Sequence, residues 1–138
     1  MTSNIKIKKI NNDIASILID EQKTYNALSF KNLRDLLKAL KKLDLDKQIK
    51  VIILEGAGKG FSAGHNLKEV RGLKKRSNYL KLFNLCSKVM IQIVEGRKPV
   101  IAKVHGAAFA AGCQLVASCD LAYSTKDALF ATPGVNIG

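Results

Sequence analysis

A chain of 138 residues, 47% of them hydrophobic, has apolar material for one modest domain. Its formal charge of +12, from 23 basic and 11 acidic residues, leaves anionic partners open, whether a phosphate-bearing cofactor, nucleic acid or anionic lipid, against an ordinary solvated lysine face. Nucleic acid fits worst, because only 6% of the residues are aromatic and neither a stacking platform nor an RNP-like motif is present.

No apolar run approaches the length of a membrane span, and the first residues lack the apolar core of a signal peptide. Cys86, Cys113 and Cys119 are odd in number and spaced for neither a disulfide framework nor a zinc site. Buried, reduced thiols in a cytoplasmic protein are the expectation.

In chain order, Ile5 and Ile7 alternate with Lys6 and Lys8, predicting a half-buried strand over residues 4–10. Asn11, Asn12 and Asp13 mark a turn, and residues 14–19 complete a hairpin. Residues 20–28 read as a loop. Ser29 is placed to cap a helix in which Phe30, Leu33, Leu36, Leu37, Leu40 and Leu43 recur at three to four residues. The lysines of residues 31–50 then form its solvated face. Residues 51–54 predict a buried strand. The glycine-rich stretch 56–60 lacks both the Gly-Lys-Ser/Thr ending of a P-loop and a G-x-G-x-x-G fingerprint, so nucleotide hydrolysis has no support. Ser77 is read as the cap of a long helix with Leu82, Leu85, Cys86, Val89, Met90, Ile93 and Val94 inward. Pro99 opens a further strand, and residues 121–123 form a short later one. A β-β-α opening followed by alternating strands and helices is an α/β layered domain.

Residues 103–120 pass from an apolar run through Gly106, Ala107, Ala108, Ala110, Ala111 and Gly112 to Leu115 and Val116 at helical spacing. A strand, a small-residue loop and a helix start are predicted. Small residues there serve tight helix–sheet packing, or leave backbone N–H groups open to a ligand oxygen that gains negative charge. By itself the stretch favours packing.

Residues 58–69, Gly-Lys-Gly-Phe-Ser-Ala-Gly-His-Asn-Leu-Lys-Glu, add a second loop after a strand. Together with residues 23–28 (Lys-Thr-Tyr-Asn-Ala-Leu), the run from Pro99 through Gly112-Cys113-Gln114-Leu115 to Cys119-Asp120, and Phe130-Ala131-Thr132-Pro133, it resembles the crotonase superfamily, the enoyl-CoA hydratase/isomerase family. The likeness spans nearly the whole chain and is strongest to enoyl-CoA hydratase domain-containing proteins. It implies a crotonase-like stacked β-β-α superhelix, truncated, with residues 1–138 as the N-terminal part of one domain whose C-terminal half is absent.

The resemblance also implies chemistry. The substrate would be an acyl-CoA thioester, with no permanently bound cofactor, handled by a lyase or isomerase of fatty acid metabolism. Backbone N–H groups of His65 and Ala111 would form an oxyanion hole. Ala27, Ala63, Gly64, Asn66, Leu67 and Gly112 would bind substrate, and Lys68 to Lys81 would lie near the CoA nucleotide. A homo-oligomer, trimer or hexamer, is implied for the full-length protein. Gln114 and Gly134 occupy the positions of the two hydratase glutamates. Gln cannot act as a general base near neutral pH, so ordinary two-glutamate hydration is not expected. The loop 61–65 is also similar to that of methylmalonyl-CoA decarboxylase, leaving a crotonase-fold CoA-ester decarboxylase or a non-catalytic acyl-CoA binder as alternatives. Asn66 stands where the family usually has Asp, and His105 is given a structural role.

Overall fold

The computed structural model of the protein describes residues 3–137. Strands β1 (Ile5–Lys9) and β2 (Ile14–Ile19) form the expected antiparallel hairpin. Asn11 closes it, its Oδ1 accepting from the N–H groups of Asp13 and Ile14. A 3₁₀ turn (Gln22–Thr24) precedes helix α1 (Phe30–Leu45), which Ser29 caps by accepting from the Asn32 N–H. There follow β3 (Val51–Gly56), α2 (Leu67–Gly72), α3 (Arg76–Val94), β4 (Val100–Val104), β5 (Ala107–Phe109), α4 (Ala111–Ala117), β6 (Leu121–Ser124), β7 (Leu129–Ala131) and α5 (Gly134–Ile137).

The main sheet runs β1-β2-β3-β4-β6, parallel from β2 onward, and β5 pairs with β7 in a second, parallel ladder. Burial follows from pairing: Ala15, Ile17 and Ile19 of β2, with a strand on either side, are wholly buried, while in edge strand β1 only Ile5 is buried, and not completely. Helices α1 and α3 pack on one another through Leu33, Leu36, Leu40 and Leu43 on one side and Leu82, Cys86, Val89, Met90 and Ile93 on the other. At the far edge, Leu121, Tyr123, Leu129, Phe130 and Val135 are all exposed.

Two expectations for α3 need correction. Ser77 is its second residue, not its cap: the helix starts after Lys75, whose carbonyl accepts from Asn78 and Tyr79, while the Tyr79 hydroxyl donates to the Leu73 carbonyl at 2.8 Å. Val94 is 66% exposed rather than inward. Twelve residues beyond Leu82, it lies about 120° around the helix, whereas Ile93 returns to within about 20°.

The site-bearing loops are stitched together by Asn26. Its backbone is left-handed (φ 56°), as is that of Tyr25 (φ 53°), a conformation asparagine tolerates better than most side chains. Wholly buried, it donates from Nδ2 to the carbonyls of Ala57 (2.7 Å) and Gly60 (2.9 Å) and accepts at Oδ1 from the Glu21 N–H (2.9 Å). Its own carbonyl accepts from the Ser62 hydroxyl at 2.9 Å. On either side, Ala63 N–H donates to Tyr25 (2.9 Å) and Leu28 N–H to Gly64 (2.7 Å). Asn32 supports the same turn from α1, its Nδ2 donating to the Ala27 carbonyl at 2.8 Å and to the Glu21 carboxylate.

Replacing Asn26 with Asp keeps the shape but turns an acceptor toward two buried carbonyls. Leaving such groups unpaired costs about 1–3 kcal/mol, more when a charge is involved. Urea unfolding of Asn26→Asp is expected to show a lowered midpoint at unchanged slope; an unchanged midpoint would remove Asn26 from this role.

Candidate functional site

Ser62 clamps the first loop to the second: its N–H donates to Ala107 (3.1 Å) and its carbonyl accepts from Phe109 (2.9 Å). Two glycines make the approach possible. A Cβ on Gly112 would lie 2.3 Å from the Ser62 carbonyl oxygen. A Cβ on Gly64, whose φ is +86°, would lie 2.8 Å from the Phe109 oxygen and 3.1 Å from the Ala111 nitrogen. The loop carrying His65 thus rests against the start of α4. Among the described residues, no hydrogen-bond acceptor takes up the N–H of His65 or of Ala111. Ala110, which precedes α4, is held at φ 49°, and its N–H donates to Ala131 at 2.8 Å.

The His65 side chain is half-buried. Its Nδ1 lies 3.4 Å from the Leu28 carbonyl, and its ring meets Phe83 edge-on at 5.2 Å with an interplanar angle of 88°. Burial pushes its pKa below the usual 6.5, against the opposing pull of the Leu28 carbonyl and the Glu69 carboxylate. The imidazole is therefore neutral near pH 7. Asn66 is engaged with its own backbone, Oδ1 accepting from the N–H groups of Lys68 (3.1 Å) and Glu69 (3.2 Å) to cap α2. Glu69 in turn accepts the Phe30 N–H at the start of α1 (2.9 Å). Between these elements lies a cavity of about 260 Å³, lined by Ala63, His65, Leu67, Val70, Phe83, Ala110, Pro133 and Gly134. A larger hollow, about 530 Å³, is a charged groove between α1 and α3, away from both loops, where Asp44 is already engaged by Arg97.

Other sequence-predicted residues are placed less directly. Ala27 is buried and its carbonyl accepts from Asn32. Gln114 is exposed on α4 and is not part of the cavity lining. Gly134 lines the cavity, and a Cβ there would meet nothing within 4 Å. The three cysteines are free thiols. The Cys119 Sγ donates to the Leu115 carbonyl at 3.2 Å, and burial, with the Asp120 charge, pushes its pKa up to about 12. His105 Nε2 lies 2.7 Å from the Gly58 carbonyl, a structural contact. Phe83 and Glu69 were not singled out by sequence reasoning: Phe83 meets His65 through tertiary packing, and Glu69, four residues beyond His65, is brought near it by the first turn of α2. Among the described residues, no group of three or more His, Cys, Asp or Glu could hold a metal ion, and no helix is long and apolar enough to cross a membrane.

These two loops on a β-β-α framework define a crotonase-fold protein. Over 99% of its length the chain superposes on 53% of the enoyl-CoA hydratase of Mycobacterium smegmatis, with a TM-score of 0.95 and 42% identity. The family profile for enoyl-CoA hydratase/isomerase matches residues 9–138, and the chain belongs to that family. It is 45% identical to human enoyl-CoA hydratase domain-containing protein 3, mitochondrial, over 125 residues, 91% of this chain and 41% of the relative. To the mitochondrial enoyl-CoA hydratase of Pongo abelii it is 36% identical, over 93% of this chain and 43% of the relative. The chain thus spans under half the length of these curated relatives.

Because the folded state lowers the His65 pKa, the unfolded chain takes up that proton more readily. The contribution is whole above pH 6.5 and is lost as pH falls through the folded value. The stability difference between wild type and His65→Gln is therefore expected to shrink in urea titrations as pH drops below 6.5. A difference independent of pH would contradict the buried, neutral ring.

Proposed function

We propose that the protein binds acyl-CoA thioesters and holds the thioester oxygen, as it becomes enolate-like, between the N–H groups of His65 and Ala111. The observation that carries this reading is the contact of the two loops at Gly64, with both N–H groups left without an acceptor among the described residues. Donors fixed in advance stabilise a developing oxyanion without rearrangement, each worth roughly 3 kcal/mol. Ala63, Gly64, Leu67 and Gly112 shape the substrate side. For Asn66 the contribution is indirect, through the α2 cap. Coenzyme A arrives as part of the substrate, and the exposed cations of residues 68–81 supply a field that attracts its phosphates.

Acid–base catalysis is the missing part. Gln114 can hold a water but cannot take its proton, and Gly134 brings no side chain. The protein is accordingly a lyase or isomerase whose reaction differs from two-glutamate hydration. The same two residues favour a second reading, an acyl-CoA binder without turnover; turnover of a panel of CoA esters separates the two. We further read residues 1–138 as the N-terminal part of a longer domain, in view of the relatives' length and of the exposed Leu121, Tyr123, Leu129, Phe130 and Val135. A homo-oligomer, without nucleic acid, is the proposed assembly. Free thiols fit a reducing compartment, and a cytoplasmic location stands against the mitochondrial names of several relatives.

Ala111 provides the test. Proline there deletes the N–H at the first position of α4, a position helices in general accept, while glycine keeps the donor; because Ala110 before it is held at φ 49° rather than in the extended range favoured before proline, the fold of the variant has to be verified. With the folded state checked by circular dichroism, Ala111→Pro is expected to lose roughly a hundredfold in turnover or in affinity for an enolate-like thioester analogue. Ala111→Gly should retain most of both. Equal values in wild type and both variants would refute the oxyanion role.

A further inference from the structure

The hollow of about 530 Å³ between α1 and α3 lies away from the two site loops. One end is tied shut where the two helices finish side by side. There the Asp44 carboxylate accepts from the Arg97 N–H at 2.7 Å and from its Nε at 3.4 Å. Away from that end, Leu37 of α1 and Ile91 of α3 line opposite walls, and Ile91 is 51% exposed. Lys41 lies one turn beyond Leu37 and Lys88 one turn before Ile91, so each cation shares a helix face with an apolar residue. Both lysines are exposed, and neither forms an ion pair among the described residues. The acids of the lining, Asp44 and Glu95, belong to the tied end, and there Asp44 is already paired.

We propose that this groove docks an acidic amphipathic helix of a partner protein, with apolar side chains on Leu37 and Ile91 and carboxylates at Lys41 and Lys88. A part-apolar trough between two packed helices is a shape that receives a third. Covering Ile91, and Val94 beside it at 66% exposed, removes apolar surface from water. The two unpaired cations select the sign of the partner and fix its register. Other occupants fit worse. A second copy of the chain would bring its own +12 against this face. A flat bilayer would not reach the floor of a groove. RNA could place phosphates at the lysines, but no ring lines the groove for a base to stack on. Because the groove lies away from His65 and Ala111, the docked helix leaves the proposed thioester site open, and the inference does not depend on that reading.

The test is fluorescence anisotropy on the whole chain with three labelled, stapled synthetic helices of equal length. The first carries Leu along one face and Glu on both flanks. In the second Lys replaces Glu, and in the third Gln replaces Leu. The first is expected to bind at least roughly ten-fold tighter than either of the others at about 0.15 M salt. The double variant Lys41→Glu/Lys88→Glu, its fold checked by circular dichroism, should reverse the preference toward the second helix. Ile91→Gln should bring the first helix down to the affinity of the third. Lys8→Glu/Lys23→Glu makes the same change in net charge at exposed positions outside the groove and should leave binding as it is. Equal losses in the two double variants would mean that only the general field of the protein attracts the helix, and the proposal would fall. It would fall equally if the first helix bound no tighter than the third, or did not bind. Poly(U) bound through Lys41 and Lys88, with no binding of the first helix, would reassign the groove to nucleic acid.

Discussion

Asn26 sits where two loops meet, and each polar atom of its side chain is bonded to a backbone group of one of them. No apolar residue could replace it, since two carbonyls and an N–H would be left buried without partners. The consequence reaches beyond stability. By tying residues 57 and 60 to the turn before α1, and by taking the Ser62 hydroxyl on its own carbonyl, Asn26 fixes where the strand-following loop turns. Ser62 then passes that position on to Phe109 and Ala107. The spacing of the His65 and Ala111 amides follows from this chain of short bonds, with Gly64 and Gly112 removing the side chains that would hold the loops apart.

On the proposed reading, the site is rich in fixed backbone donors and poor in groups that move protons. His65 is kept neutral by burial, Gln114 is an amide, Glu69 is occupied at the start of α1, and Asn66 caps α2. Such an arrangement suits the holding of charge on oxygen more than the transfer of a proton to or from carbon.

Much of the framework was legible in the sequence where one local pattern dominates. The hairpin shows itself by alternation and by Asn11, and α1 by its apolar period and by Ser29 as cap. The continuous apolar runs at β3 and β4 announce buried parallel strands. An element whose existence depends on a distant partner was not legible: β5 is Ala-Ala-Phe and becomes a strand only because β7 lies beside it. The six-residue α2 was missed for another reason, being too short to show an apolar period, although its cap Asn66 is local. Val94 shows the limit of reading a stripe by type alone, since it is apolar yet sits on the wrong side of α3. At the site, the glycines and the His65 and Ala111 positions stood out through family resemblance. Phe83, eighteen residues along the chain from His65, carried no signal that it would meet the imidazole.

The central claim is that two backbone amides, from loops far apart in sequence, share one ligand oxygen. A crystal structure of the protein with a bound acyl-CoA, read at the thioester oxygen, tests it most directly. The account predicts that this oxygen lies about 2.7–3.1 Å from the nitrogens of both His65 and Ala111. A thioester oxygen that accepts from neither amide, or that lies elsewhere on the protein, would contradict it.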